Sequence, residues 1–198
     1  MSQVPINVYA EMTPNPATMK FVANKYLLIS GEQVEFSSQQ EAKKYSPLAE
    51  ELFNFPFVKN IFIAGNFVAI TKYDNIEWDF ISMELRNLIK NFIAEGNDVL
   101  VQMPPKKEAK EAPQKASPIE PSEYDATIKN LLDEYVKPAV EGDGGAIDFK
   151  SYNEGTVTVT LRGACSGCPS STQTLKGGIE NLLKQHLPSV KEVVAEEL

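Results

Sequence analysis

The clearest hydrophobic pattern lies in the last third of the chain, where Val157, Val159 and Leu161 alternate strictly with Thr158, Thr160 and Arg162. A period of two puts the apolar set on one face of a pleated strand, so 156–162 is expected as a half-buried strand. Asn153-Glu154-Gly155 marks a turn ahead of it, and an extended stretch around Ile147 and Phe149 precedes the turn. On both sides the period becomes helical. Tyr124, Ile128, Leu131, Leu132 and Tyr135 share one helical face behind Ser122, and Pro138 is expected to end that helix. Leu175, Ile179, Leu182, Leu183 and Leu187 form a second stripe that Pro188 stops. With a short strand over 190–195, residues 119–198 read as an α-β-β-α-β domain.

Residues 1–101 carry the same two periods in another order. Extended stretches are expected over 6–10, 21–23 and 26–29. Ser46-Pro47 offers a cap residue and an N1 proline for a short helix carrying Leu48, Leu52 and Phe53. Two apolar runs, 61–64 and 67–70, flank Gly65-Asn66, the signal of a tight hairpin. Trp78, Ile81, Leu85, Leu88, Ile89 and Phe92 then keep one face of a long helix, a stripe read as core rather than as a cofactor box. The fold class is therefore α+β: two small domains of mixed helix and sheet.

Between them the composition breaks. Residues 102–118 are rich in Pro, Lys, Glu and Ala, with no aromatic or β-branched residue. Such a stretch cannot bury enough apolar surface to offset its ordering entropy, and it reads as a flexible linker. Charge follows the same division: 12 acidic against 8 basic residues before the linker, 2 against 4 within it and 13 against 7 after it, for a net −8. An acidic chain without clustered Lys and Arg lacks the footprint of a nucleic-acid binder. No apolar run approaches the roughly 18 residues of a membrane span. The start of the chain has neither the basic region of a signal peptide nor the Arg-rich character of a transit peptide, which predicts a cytoplasmic protein.

The candidate chemistry sits in Gly163-Ala164-Cys165-Ser166-Gly167-Cys168-Pro169-Ser170-Ser171, which holds both cysteines of the chain. Two thiolates three positions apart grip one metal centre together, yet a tetrahedral thiolate site needs about four ligands. The chain has no further Cys and a single His, His186. Ser170 and Gln173 have capping-box spacing, so a helix is expected to begin near Ser171, with Cys168 just outside its N-terminus where partial positive charge favours thiolate. Arg162 is a second candidate for favouring thiolate there. Spacing leaves both metal or cluster binding and thiol–disulfide exchange open, with two inert cysteines as the bland alternative. A nucleophilic cysteine would need a nearby base, and His186 falls near the far end of the last helix, where a packed or dipole-facing histidine is expected. No phosphate-binding loop, dinucleotide fingerprint or metalloprotease motif appears. Asp143 reads as a turn-former. Gly177-Gly178, unusual inside a helix, reads either as close approach to another backbone, such as a second copy, or as tight packing on its own sheet.

Asp143-Gly144-Gly145 with Ile147, then 161–172 and Thr174-Leu175-Lys176-Gly177-Gly178-Ile179-Glu180, resemble the C-terminal domain of NifU and the Nfu proteins. Thr13-Pro14-Asn15-Pro16-Ala17-Thr18-Met19-Lys20-Phe21, Ser46-Pro47-Leu48-Ala49 and the strand pair to Thr71-Lys72 resemble the N-terminal domain of the Nfu subgroup. The resemblance implies a non-enzymatic iron–sulfur cluster scaffold or carrier. In that family the CxxC cysteines, here Cys165 and Cys168, bind a labile [4Fe-4S] cluster, with [2Fe-2S] as the alternative form. The cluster is shared across a homodimer, taken from an upstream donor and handed to apo iron–sulfur client proteins. A dithiol oxidoreductase using the same pair is the competing reading.

Overall fold

The chain divides into two units, Met1–Pro105 and Lys106–Leu198, in the computed structural model, which describes residues 5–29, 31–105, 122–166 and 169–197. Most of the expected linker, 106–118, lies outside the described residues.

The first unit runs β1 (Val8–Met12), β2 (Thr18–Ala23), β3 (Gln33–Phe36), α1 (Gln39–Tyr45), α2 (Pro47–Leu52), β4 (Val58–Ala64), β5 (Phe67–Lys72) and α3 (Trp78–Ala94). Its five-stranded sheet has the order β1-β2-β5-β4-β3, antiparallel throughout. The expected hairpin is β4–β5: Ala64 faces Phe67 across Gly65-Asn66, and Gly65 takes the positive φ of 48° that the turn needs. Alternate strand residues, among them Phe21, Phe36, Ile61, Ile63 and Ile70, share a core with Leu48 and Leu52 of α2 and Ile81, Leu85 and Ile89 of α3. Ser46 caps α2 as its sequence suggests. Its Oγ accepts from the Ala49 N–H at 3.1 Å and donates to the Val99 carbonyl at 2.6 Å, so this buried hydroxyl is satisfied in both roles. Trp78 borders the core, donating from Nε1 to the Pro16 carbonyl at 2.9 Å.

The expected strand over 26–29 is not one. The Leu27 and Leu28 N–H groups both donate to the Gly65 carbonyl, which ties the segment to the hairpin turn instead of to a ladder, and Tyr26 and Ile29 are exposed. The strand lies later, at β3, and α1 follows it behind Ser38, whose Oγ accepts from the Glu41 N–H. Only Ala42 of α1 is buried, so no apolar stripe announced that helix.

The second unit runs α4 (Asp125–Leu131), a π-helical stretch (Leu132–Val136), α5 (Lys137–Gly142), β6 (Gly145–Asn153), β7 (Thr156–Gly163), α6 (Pro169–His186) and β8 (Glu192–Glu197). This is the expected α-β-β-α-β order. Its sheet, β6-β7-β8, is antiparallel between β6 and β7 and parallel between β7 and β8. Glu154 and Gly155, with φ of 47° and 99°, make the two-residue turn between β6 and β7. The parallel pairing needs a crossover, which α6 provides. Val157, Val159 and Leu161 face a core built with Ile128, Leu132, Val140, Ile179, Leu183 and Val193.

Pro138 does not stop the first helix, as the sequence suggested. The π-helical stretch interrupts the α ladder just before it, and Pro138 falls in the first turn of α5, where its missing N–H leaves no bond unmade. The wider turn also advances the buried face by one position. Val136 and Val140 are buried, and Tyr135, expected on that face, is exposed.

Candidate functional site

The thiol site is built where α5 enters β6 and β7 leaves for α6. Gly144, at φ 81°, turns the chain into β6, and Gly163, at φ 66°, turns it out of β7. These corners are stitched together: Gly145 pairs with Gly163 in the ladder, and the Ala164 N–H donates to the Gly144 carbonyl at 3.1 Å. The loop folds back on itself, with the Ser166 N–H and Oγ both donating to the Gly163 carbonyl. Thr172, in the first turns of α6, donates from Oγ1 to the Cys165 carbonyl at 3.2 Å. Strand end, loop and helix start therefore form one hydrogen-bonded frame around Cys165.

Cys165 is a free, buried thiol packed with the core of the second unit. Burial pushes its pKa up to about 11, and the nearby Asp143 carboxylate adds to the rise. At neutral pH Cys165 is therefore held as the thiol. Asp143 is thus more than a turn-former. Its backbone ends α5, and its charge acts on the sulfur.

Cys168 and Gly167 lie outside the described residues, as do the side chains of 169–171. The helix begins at Pro169, ahead of the expected start near Ser171, so Ser170 sits within α6 and is not the residue before it. Among the described residues, Arg162 is paired with a carboxylate rather than with Cys165. It lies on the opposite face of β7 from Leu161 and pairs with Asp148 of β6. His186 is exposed at the far end of α6, about 25 Å from the helix start at 1.5 Å per residue, and its ring stacks on Tyr135 with centroids 6.2 Å apart. The structure therefore does not bring it to Cys165. A Cβ added at Gly177 or Gly178 would meet nothing within 4 Å, and both residues are exposed, so packing on their own sheet does not explain them.

Among the described residues no group of three or more His, Cys, Asp and Glu side chains gathers to hold a metal ion, and no helix is long and apolar enough to cross a membrane. What the sequence reading missed is the contribution of the Asp143-Gly144-Gly145 corner to the thiol site. The signal was the second glycine, since Gly144 alone supplies the positive φ.

Comparison with known proteins accounts for both units. Residues 8–96 match the family model described as scaffold protein Nfu/NifU N terminal, and residues 128–194 match the NifU-like domain. Over 94% of its length the chain is 36% identical to the mitochondrial NFU1 iron-sulfur cluster scaffold homolog of Drosophila grimshawi, covering 60% of that protein. The homolog of the same name in Drosophila erecta is also 36% identical, with 63% of its length covered. The chain thus spans about three fifths of the length of these curated relatives. Among solved structures, a NifU-like protein from Saccharomyces cerevisiae is 26% identical, with a TM-score of 0.46, over 52% of this chain and 91% of that one. With an Nfu N-terminal domain followed by a NifU-like domain, the chain belongs to the Nfu/NifU scaffold-protein family.

Proposed function

We propose that this chain is an iron–sulfur cluster carrier without catalytic turnover, in which Cys165 and Cys168 of two copies together hold one [4Fe-4S] cluster. The observation that carries the reading is that the chain's two cysteines fall in the NifU-like domain, with Cys165 framed between a buried strand and a helix start. A cubane cluster held by thiolates takes about four ligands, so a chain with two supplies half a site. Sharing across a homodimer completes the count, and dissociation offers the cluster to thiolates of an apo-client. Each exchange returns a thiol to this chain, and the high proton affinity of Cys165 favours that release. Residues 119–198 act as the cargo domain, 102–118 as its tether, and 1–101 as the contact for clients or the upstream donor.

In the oxidoreductase reading the attacking thiolate has to be Cys168, because Cys165 is buried and its pKa is pushed up. Anaerobic reconstitution with iron and sulfide is the test. The carrier reading expects a shift from monomer to dimer with about four iron atoms per dimer, lost in Cys165→Ala and in Cys168→Ala. A stable cluster on a monomer, or one retained by either variant, overturns the shared site, and about two irons per dimer makes the cargo [2Fe-2S]. Fast disulfide turnover without iron supports the oxidoreductase. A reducing compartment such as the cytoplasm suits the pair; the relatives are named mitochondrial, and fractionation of tagged protein decides between the two.

A further inference from the structure

Gly145 is a glycine that backbone conformation does not explain. Its φ is not positive, unlike that of Gly144 beside it, and it sits in a regular strand, where glycine is normally unfavourable. Space explains it. A Cβ at this position would lie 2.7 Å from the Cys165 sulfur, 3.1 Å from the Cys165 Cβ and 2.8 Å from the Arg162 carbonyl oxygen. Contacts below 3 Å force something to move, and here the neighbours are a strand backbone and a core side chain. Gly142, Gly177 and Gly178 also lack positive φ, yet a Cβ on any of them enters open space. Of these four glycines, only Gly145 is held by what lies against it.

We infer that Gly145 is a positioning residue for the candidate ligand Cys165. Its missing side chain forms the recess that seats the sulfur, and the ladder pair with Gly163 and the Ala164–Gly144 hydrogen bond hold that recess in register with the loop. The seat gives the loop one defined thiol position and shields the sulfur. The consequence for iron rests on the carrier reading; the recess itself does not.

The test uses the full chain. In a Cys168→Ser background, where Cys165 is the sole thiol, Gly145→Ala is expected to raise the rate of N-ethylmaleimide modification at least about tenfold, with Gly142→Ala unchanged as the control. A rate for Gly145→Ala within about twofold of the parent overturns the recess. Thermal melting supplies an independent arm, because removing the sulfur removes the tightest contact. Gly145→Ala should cost less in a Cys165→Ala background than with Cys165 present, and equal costs overturn the proposal. Should Gly145→Ala alone fail to fold, a folded Gly145→Ala/Cys165→Ala double variant supports the recess and an unfolded one overturns it. With both cysteines present, Gly145→Ala should lose reconstituted iron to a chelator about tenfold faster than the unsubstituted protein, and an equal rate overturns the positioning role. If the unsubstituted protein takes up no iron while the modification rates respond as expected, the carrier reading fails and the recess stands.

Discussion

Both units lay the apolar face of a sheet against helices, but they complete their cores with different chemistry. In the first, Phe21, Phe36, Leu48, Leu52, Ile61, Ile63 and Ile70 are fully buried hydrocarbon, and the deep polar group Ser46 is satisfied as donor and acceptor. In the second, a core position goes to a thiol, beside a glycine kept bare to receive it. A core of hydrocarbon serves stability alone. Where a prospective ligand is also a core residue, stability and chemistry share the same atoms, and what perturbs one should be read in the other.

The largest effects should come from emptying either core. Phe21→Ala in the first unit is expected to cost about 3–5 kcal/mol, and Leu183→Ala in the second about 2–5 kcal/mol, both measured by denaturant unfolding. Iron loading should follow the second substitution and not the first. Equal loss from both would break the division of labour.

Titration of Cys165 comes next. Its folded pKa is raised from 9.0 to about 11, so the stability it contributes is fully present below pH 9 and is lost as pH rises to about 11. Two units correspond to about 2–3 kcal/mol for the second unit alone, and Cys165→Ala should remove this alkaline dependence from its melting curve. A curve that keeps the dependence assigns it to another group.

Ser46→Ala should destabilise the first unit by about 1–2 kcal/mol, through loss of the α2 cap and an unpaired Val99 carbonyl, without changing iron loading. Gly177→Ala or Gly178→Ala should stabilise the second unit by up to about 1 kcal/mol each, since alanine is the better helix former and its Cβ meets nothing there. If either substitution also blocks dimer formation on iron loading, those glycines serve close approach of a second copy. The smallest effect belongs to Glu180. The hydrogen bond from Lys184, at 2.5 Å, and then that from the Val193 N–H, at 3.3 Å, hold its carboxyl below the usual range. The stability it contributes is present above the ordinary carboxylate pKa and lost as pH falls through the lowered value, so Glu180→Gln should flatten the acid side of the melting profile.

Where one period dominated, local structure was legible in the chain. The alternation over 156–162 became β7, the stripe from Ile81 to Phe92 became α3, and Gly65-Asn66 and Ser46-Pro47 did what turn and cap residues do. The misses share a cause. Residues 26–29 are largely apolar, but the Leu27 and Leu28 N–H groups bond the Gly65 carbonyl in place of a strand, and α1 buries only Ala42, too little to leave a stripe. Pro138 carried its usual meaning as a helix breaker until a π-helical stretch moved it into a first turn.

The sequence by itself determined the two-domain plan, the spacing of the two cysteines and the scarcity of any other Cys or His, because spacing and count are properties of the chain. Only the tertiary structure decided what surrounds Cys165. It buried the thiol and raised its proton affinity, turned Arg162 toward Asp148, left His186 at the far end of α6, and set bare Gly145 against the sulfur. These are contacts between segments distant along the chain. Burial, charge proximity and steric room exist only once β6 and β7 have paired and the helices have closed over them.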